Sequence, residues 1–408
     1  MINYNRPESV LLILKKYTLP LASFVIFCAP LNYSYAQKTN STKVLSDVAK
    51  QQIDSIFKAF NNLDTPGYAI GISKGEHTLF CSGYGAANLD YQIPITSKSA
   101  FSIASVSKQF TAACIALLIL ENQLSLETPA SVYIPELKKY KDTIKIKHLI
   151  YNTSGIQDYN QLQRKNGTSW ITFNYFNVDE CIATSLAADT LQFKPGDKWD
   201  YCNVNFMLLT KVVEAINKQP FSVFAKKKLF EPLGMHRTLI NDDITQIIPN
   251  RVTPYNPRNE RYVAGYLEFG IPISTEGKYI QHHRNSPHYG GSGVVTTIED
   301  LLLWSKNMVT RNFGGIAFYN LMHDTPSFHH NRNNQGFGLY IDEYKNRKIV
   351  AWDGGDWGIS SQLLRFPDDE VAIIVLSNLG SGEAFRKAYN IADILIEHNL
   401  IKKQQNND

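Results

Sequence analysis

Ser105 and Lys108 stand three residues apart, just ahead of a segment that is apolar from Ala112 to Leu120. On a helix that spacing puts both side chains on one face. A serine at the start of a buried helix lies near unpaired backbone N–H groups and the positive end of the helix dipole. A lysine one turn along can take the serine's proton once its surroundings lower its pKa. The pair therefore has the chemistry of an acyl-transfer nucleophile. The spacing alone is weak, because Ser55 and Lys58 repeat it. An N-cap serine beside a solvated lysine also has the same letters.

Acyl transfer needs two further parts: an acid/base for the leaving group and an oxyanion site. Tyr201 and Asn203 are candidates for the first. They follow the turn Lys194-Pro195-Gly196-Asp197 and open a helical stretch. Tyr175/Asn177 and Tyr344/Asn346 share the spacing. Only Tyr201 lies beside a turn-to-helix junction between the Ser105 segment and the strands at the chain's end. The oxyanion site requires a strand that offers backbone N–H groups. Asp353-Gly354-Gly355-Asp356, flanked by Trp352 and Trp357, is the candidate, since its glycines allow close backbone approach.

The elements that must hold these residues follow from the patterning. Residues 44–60 have helical spacing, and residues 67–73 and 77–84 read as a hairpin turning at Gly75. Strand-like runs return at 336–341, 348–352, 358–366 and 371–376, followed by an amphipathic helix at 383–397. Helices are expected at 144–151, 204–217, 221–230 and 297–308, and the stretch 241–290 carries no assignment. Strands at both ends and helices between predict an α+β fold: an antiparallel β-sheet flanked by helices, with an inserted mainly helical subdomain. The sheet part would span about 44–105 and 290–400, the insertion about 106–289, and a polar tail 401–408. The site would lie at their seam.

Composition narrows the class. The 408 residues are 44% hydrophobic and 19% charged with a net charge of +4, values of an ordinary globular protein. No basic cluster exceeds Lys226-Lys227-Lys228, which argues against nucleic acid as a partner. Lys15 and Lys16, an apolar run over 19–31 and the small-residue exit Ser34-Tyr35-Ala36 have the form of a secretory signal peptide ending at residue 36. The expected location is therefore exported, periplasmic or cell-envelope, with membrane contact only if that segment stays uncleaved. Cys81, Cys114, Cys181 and Cys202 then remain, too few for a disulfide framework and without zinc spacing. His148, His236 and the His282-His283 pair have structural or solvated roles as their default, because no matching carboxylate spacing accompanies them.

Together, Ser105-x-x-Lys108, Tyr201-x-Asn203 and a glycine-rich edge strand resemble the serine β-lactamase and penicillin-binding-protein superfamily. The likeness is nearest to its class C β-lactamase-like branch of esterases and D-peptidases. Supporting phrases occur in the family's order at 150–159 (IYNTSGIQDY), 193–206 (FKPGDKWDYCNVNF), 231–235 (EPLGM), 290–304 (GGSGVVTTIEDLLLW) and 366–378 (FPDDEVAIIVLSN). The resemblance implies an exported serine hydrolase that forms an acyl-enzyme on Ser105 and opens an ester, amide or peptide bond. Lys108 would act as base and cation. Tyr201 would shuttle the proton, eased toward ionisation by nearby cations. Asn203 would position the substrate or Lys108, and the backbone N–H groups of Ser105 and of the strand near Asp356 would hold the oxyanion. The implied partner is a small molecule or peptide, cell-wall peptides included. Neither metal nor organic cofactor is implied.

One position departs from the family's pattern. Lys or His is expected two residues before a glycine of the third motif, and Asp353 stands there. His288-Tyr289-Gly290 has the right letters but adjoins a different family phrase. A carboxylate would repel an anionic substrate and tend to raise the Tyr201 pKa. Two readings follow. In one, Asp353 pairs with Lys108 or another cation and the enzyme takes neutral or cationic substrates. In the other, the scaffold is a catalytically weak or inactive cell-envelope binding protein.

Overall fold

The computed structural model describes residues 45–165, 175–283, 287–325 and 334–402. The segment expected to be a signal peptide, the polar lead after it and most of the tail lie outside these. Six antiparallel strands form the main sheet: β1 (Tyr68–Lys74), β2 (His77–Tyr84), β3 (Tyr340–Tyr344), β4 (Arg347–Asp356), β5 (Ile359–Phe366) and β6 (Val371–Ser377). Their order is β3-β4-β5-β6-β1-β2, so β6 and β1, from opposite ends of the sequence, pair inside the sheet, Ile72 opposite Ile373. Every side chain of β5 and β6 is buried, the pattern of strands covered on both faces.

Period two sorts those side chains between two cores. Tyr68, Ile70, Leu364, Ile373 and Val375 pack with helix α1 (Asp47–Ile56) and the C-terminal helix Glu383–Glu397. Ala69, Leu363, Ile374 and Leu376 face the other way. There they meet helices α2 (Lys108–Leu120), α3 (Asn203–Asn217) and α4 (Ile298–Thr310), which share one core. The apolar run of α2 has no polar face because it needs none: Ala112, Ala113, Cys114, Ile115, Ala116 and Leu118 are all buried. Burying each large aliphatic there stabilises the fold by roughly 1.5–3 kcal/mol, which fixes the helix that carries Lys108. Among the described residues, no helix is long and apolar enough to cross a membrane.

Three expectations change. The 241–290 stretch contains a small hairpin, Tyr255–Pro257 with Tyr279–Gln281, which brackets the helix Glu260–Glu268. That helix packs Tyr262 and Tyr266 on Trp357, a tertiary contact that local patterning does not encode. The strand expected at 336–341 begins instead at Tyr340, because Gly338 at φ +66° places that segment in a turn. Finally, the α-helix after Ser105 starts only at Lys108, preceded by a 3₁₀ turn over Ala104–Ser107.

Candidate active site

The turn that carries Ser105 is held from three sides. Before it, Phe101–Ser102 pairs with Val294–Thr296. Ser107 Oγ accepts from the Val294 N–H at 3.1 Å. Ser361 Oγ, on β5, donates to the Ile103 carbonyl at 2.8 Å. Between these anchors Ala104 adopts φ +45°, a left-handed conformation that costs a non-glycine residue about 1–2 kcal/mol. Gly354 of β4 explains how the strand comes so close. A Cβ there would lie 2.4 Å from the Ile103 carbonyl oxygen and 2.3 Å from Ser361 Oγ. The 3₁₀ turn has a consequence for the chemistry: side chains i and i+3 eclipse, so Lys108 sits directly over Ser105.

Lys108 is fully buried. Its Nζ lies 3.3 Å from Ser105 Oγ, 2.8 Å from Asn203 Oδ1 and 2.6 Å from the Gly291 carbonyl oxygen. Burial pulls its pKa down to about 7, against the opposing pull of Asp158, Cys202 and Asp353. The Tyr201 ring passes 4.7 Å from the same nitrogen. Tyr201 and Asn203 reach the site because α3 begins at Asn203, directly after an extended stretch that ends in Cys202. The Tyr201 hydroxyl is 2.6 Å from Ser105 Oγ.

The Tyr201 phenol corrects an expectation. Burial raises its pKa far above the ordinary tyrosine value; the Ser105 hydrogen bond opposes this, while Tyr340, Asp158 and Asp353 add to it. The phenol is therefore neutral at rest, and the group poised to accept a proton near neutral pH is Lys108.

Asp158, unremarked within its phrase of the sequence, is a buried carboxylate at this junction. It accepts from the backbone N–H of Asn203 and, at 2.9 Å, from that of Asn160. It thereby places negative charge at the N-terminus of α3, where the helix dipole favours it.

The third motif divides. Gly355 and Asp356 line the same pocket of about 150 Å³ as Ser105, Tyr201 and Asn203. Gly354 packs against the nucleophile turn. Asp353, on the same strand face as Gly355, is exposed and lies outside the pocket wall. It makes no ion pair with Lys108 or another cation among the described residues, so the paired reading does not hold. The protein around it still lifts its carboxyl above the usual range, with Lys108 pulling the other way. His288, set aside in the sequence, lines the pocket beside Tyr159. A larger cleft of about 270 Å³ opens beyond Asp356, between Arg251, His282 and Trp357, with no catalytic side chain in its wall.

A family model described as Beta-lactamase matches residues 53–396. The chain belongs to the β-lactamase family. It is 25% identical over 332 residues to a D-aminopeptidase of Gluconobacter oxydans, an alignment that covers 81% of this chain and 59% of that protein. The chain thus spans under two thirds of that relative's length. Its fold matches the octameric penicillin-binding protein homologue of Pyrococcus abyssi at TM-score 0.71 and 22% identity, covering 88% and 79% of the two chains. It also matches the D-amino acid amidase of Ochrobactrum anthropi SV3 at TM-score 0.70 and 18% identity, covering 86% and 99%. Membership of this family indicates a hydrolase.

Within the β-lactamase fold the look-alike motifs fall into local roles. Ser55 Oγ donates to the Gln52 carbonyl on the exposed side of α1. Asn177 caps the helix Val178–Leu186 by accepting from Glu180 N–H. The Tyr344 hydroxyl donates to Asp393. The four cysteines of the described residues are free thiols. His148 accepts from the Lys145 N–H at a helix start, a structural use.

Proposed function

We propose that the protein is an exported serine hydrolase that forms an acyl-enzyme on Ser105 and cleaves amides or esters lacking a carboxylate beside the scissile bond. The observation that carries this reading is the buried, near-neutral Lys108 amine in contact with Ser105 Oγ, itself bonded to the Tyr201 hydroxyl. Neutral Lys108 takes the Ser105 proton as Oγ bonds to the carbonyl carbon. The bond to the leaving group breaks, and that group departs with the Tyr201 proton. The Lys108 ammonium returns a proton to the phenolate. Water then attacks the acyl carbon, the Oγ–acyl bond breaks, and Ser105 regains its proton. Asn203 fixes the amine, and N–H groups of Ser105 and Asp356 serve the oxyanion. The acidic rim formed by Asp353 and Asp356 supports neutral or cationic substrates. D-Amino-acid amides belong to that class, in keeping with the names of the D-aminopeptidase and the D-amino acid amidase. The basic-then-apolar leader supports export.

The test is a panel of a short aryl ester, a D-amino-acid amide and nitrocefin, run beside fluorophosphonate labelling of wild type and Ser105→Ala. Labelling and turnover in wild type alone support the proposal. Equal labelling of both proteins, or none, sinks it in favour of a binding protein on the same scaffold.

A further inference from the structure

Arg365 lies near the end of β5 away from Asp356, on the face of the sheet covered by α4. It is 5% exposed. Its guanidinium makes no hydrogen bond or ion pair among the described residues, and its Nε is buried without a partner. An uncompensated buried charge is costly, so natural folds rarely leave one. Burial pulls its pKa down to about 10, yet it stays charged at neutral pH. Opposite it, Ser305 of α4 is 2% exposed, and its Oγ is likewise buried without a partner. Two orphaned polar groups on separate elements thus share one cavity of about 50 Å³.

The rest of the wall has a consistent character. Arg311 stacks over the Tyr319 ring at 4.4 Å, and Tyr319 stacks on His323 at 4.1 Å. His323 is kept neutral by burial and by Arg365, and its Nδ1 meets the Tyr319 carbonyl at 2.7 Å. Lys348 adds positive potential nearby. Glu370, exposed, is the carboxylate in the lining. Met308, Phe366 and Val371 supply apolar surface. The cavity has room for a few heavy atoms, since one water needs roughly 10–15 Å³ of such space.

We propose that this cavity is a binding site for a small monoanion, a carboxylate of acetate size or a halide, held by Arg365 and Ser305. Charge supplies the attraction. The small volume excludes bulky anions, and Glu370 disfavours dianions. The site lies along β5 from the nucleophile turn, about 20 Å from the Ile359 end at roughly 3.3 Å per residue, so it is independent of the acyl-transfer reading.

Thermal unfolding of the full chain at pH 7.5 and constant ionic strength tests this, with sodium acetate or sodium bromide compared against sodium gluconate, a monoanion too large to enter. Acetate and bromide are expected to raise the Tm by about 1–3 °C over gluconate in a saturable way. Arg365→Met is expected to lose that increment. Equal Tm in the three salts, or the same increment in Arg365→Met, overturns the proposal. If the variant does not fold, bromide-soaked wild-type crystals decide: an anomalous peak beside Arg365 supports the site, and its absence overturns it.

Discussion

Lys108 Nζ is held 2.8 Å from Asn203 Oδ1, and the Gly291 carbonyl takes a second hydrogen bond at 2.6 Å. A neutral amine has two N–H bonds and one lone pair. With both hydrogens committed, the lone pair is left facing Ser105 Oγ at 3.3 Å. That orientation suits the role of base proposed for the buried amine.

Lys108 must be neutral to act, so activity on an uncharged ester should rise with pH through a limb near 7. Asp158 raises the Lys108 pKa through its charge; Cys202 and Asp353 act in the same direction. Asp158→Asn should therefore move the limb to lower pH, alongside a loss of about ten-fold in kcat from a looser start to α3. A pH–kcat/KM profile on wild type and variant checks this. A limb that stays in place would show that Asp158 acts only as scaffold.

The same burial has a stability signature. The folded-state pKa of Lys108 lies below its unfolded value of 10.5, so the unfolded chain binds more protons between about pH 7 and 10.5. The burial cost is fully present below pH 7 and fades as pH rises toward 10.5. Lys108→Met should be inactive and should stabilise the fold most at pH 6, by on the order of a few kcal/mol, with most of that gain gone by pH 10. Melting curves at the two pH values test the sign. A constant offset would locate the effect in packing instead of charge.

Much of this site was legible because its signals are local. Ser105 and Lys108, like Tyr201 and Asn203, lie at or just before the start of a strongly apolar helix, and the structure brings their side chains within 3.3 Å contacts of one another. The hairpin of β1 and β2 was equally plain from Gly75, whose φ of +56° the turn requires. What escaped depends on long-range approach. Asp158 meets Asn203 across 45 residues, and the Gly291 carbonyl reaches Lys108 across 183. His288 looked like a rival third motif and is instead a second wall of the pocket. Asp353 occupied the right letter position, but on an exposed strand edge, and letters do not report whether a side chain is paired.

That exposure makes Asp353 a tuning position. It makes no ion pair among the described residues, shares a strand face with Gly355, and its charge acts on Lys108 and Tyr201. Wild type should hydrolyse nitrocefin and carboxylate-bearing peptides poorly. Asp353→His should raise kcat/KM for a substrate with a carboxylate beside the scissile bond by roughly ten-fold, the size of one charge interaction partly screened by water. Activity on a neutral ester should change less than about three-fold. The ratio of the two rates is the measurement, since it cancels any loss of folded enzyme. An unchanged ratio would place Asp353 outside the substrate's reach.

Two adjacent glycines separate the strand's structural role from its substrate role. A Cβ on Gly354 would fall 2.4 Å from the Ile103 carbonyl, and that carbonyl cannot retreat without dragging Ala104 and Ser105 with it. Gly354→Ala should therefore destabilise by about 1–3 kcal/mol and cost at least ~100-fold in kcat. A Cβ on Gly355 meets nothing within 4 Å and points into the pocket. Gly355→Ala should keep the wild-type Tm and raise KM for bulky acyl groups while sparing small ones. Melting temperatures and steady-state constants for both variants, measured on an acetyl and a bulkier acyl ester, distinguish the roles. If Gly354→Ala kept both its stability and its kcat, β4 could not be the element that clamps the nucleophile turn.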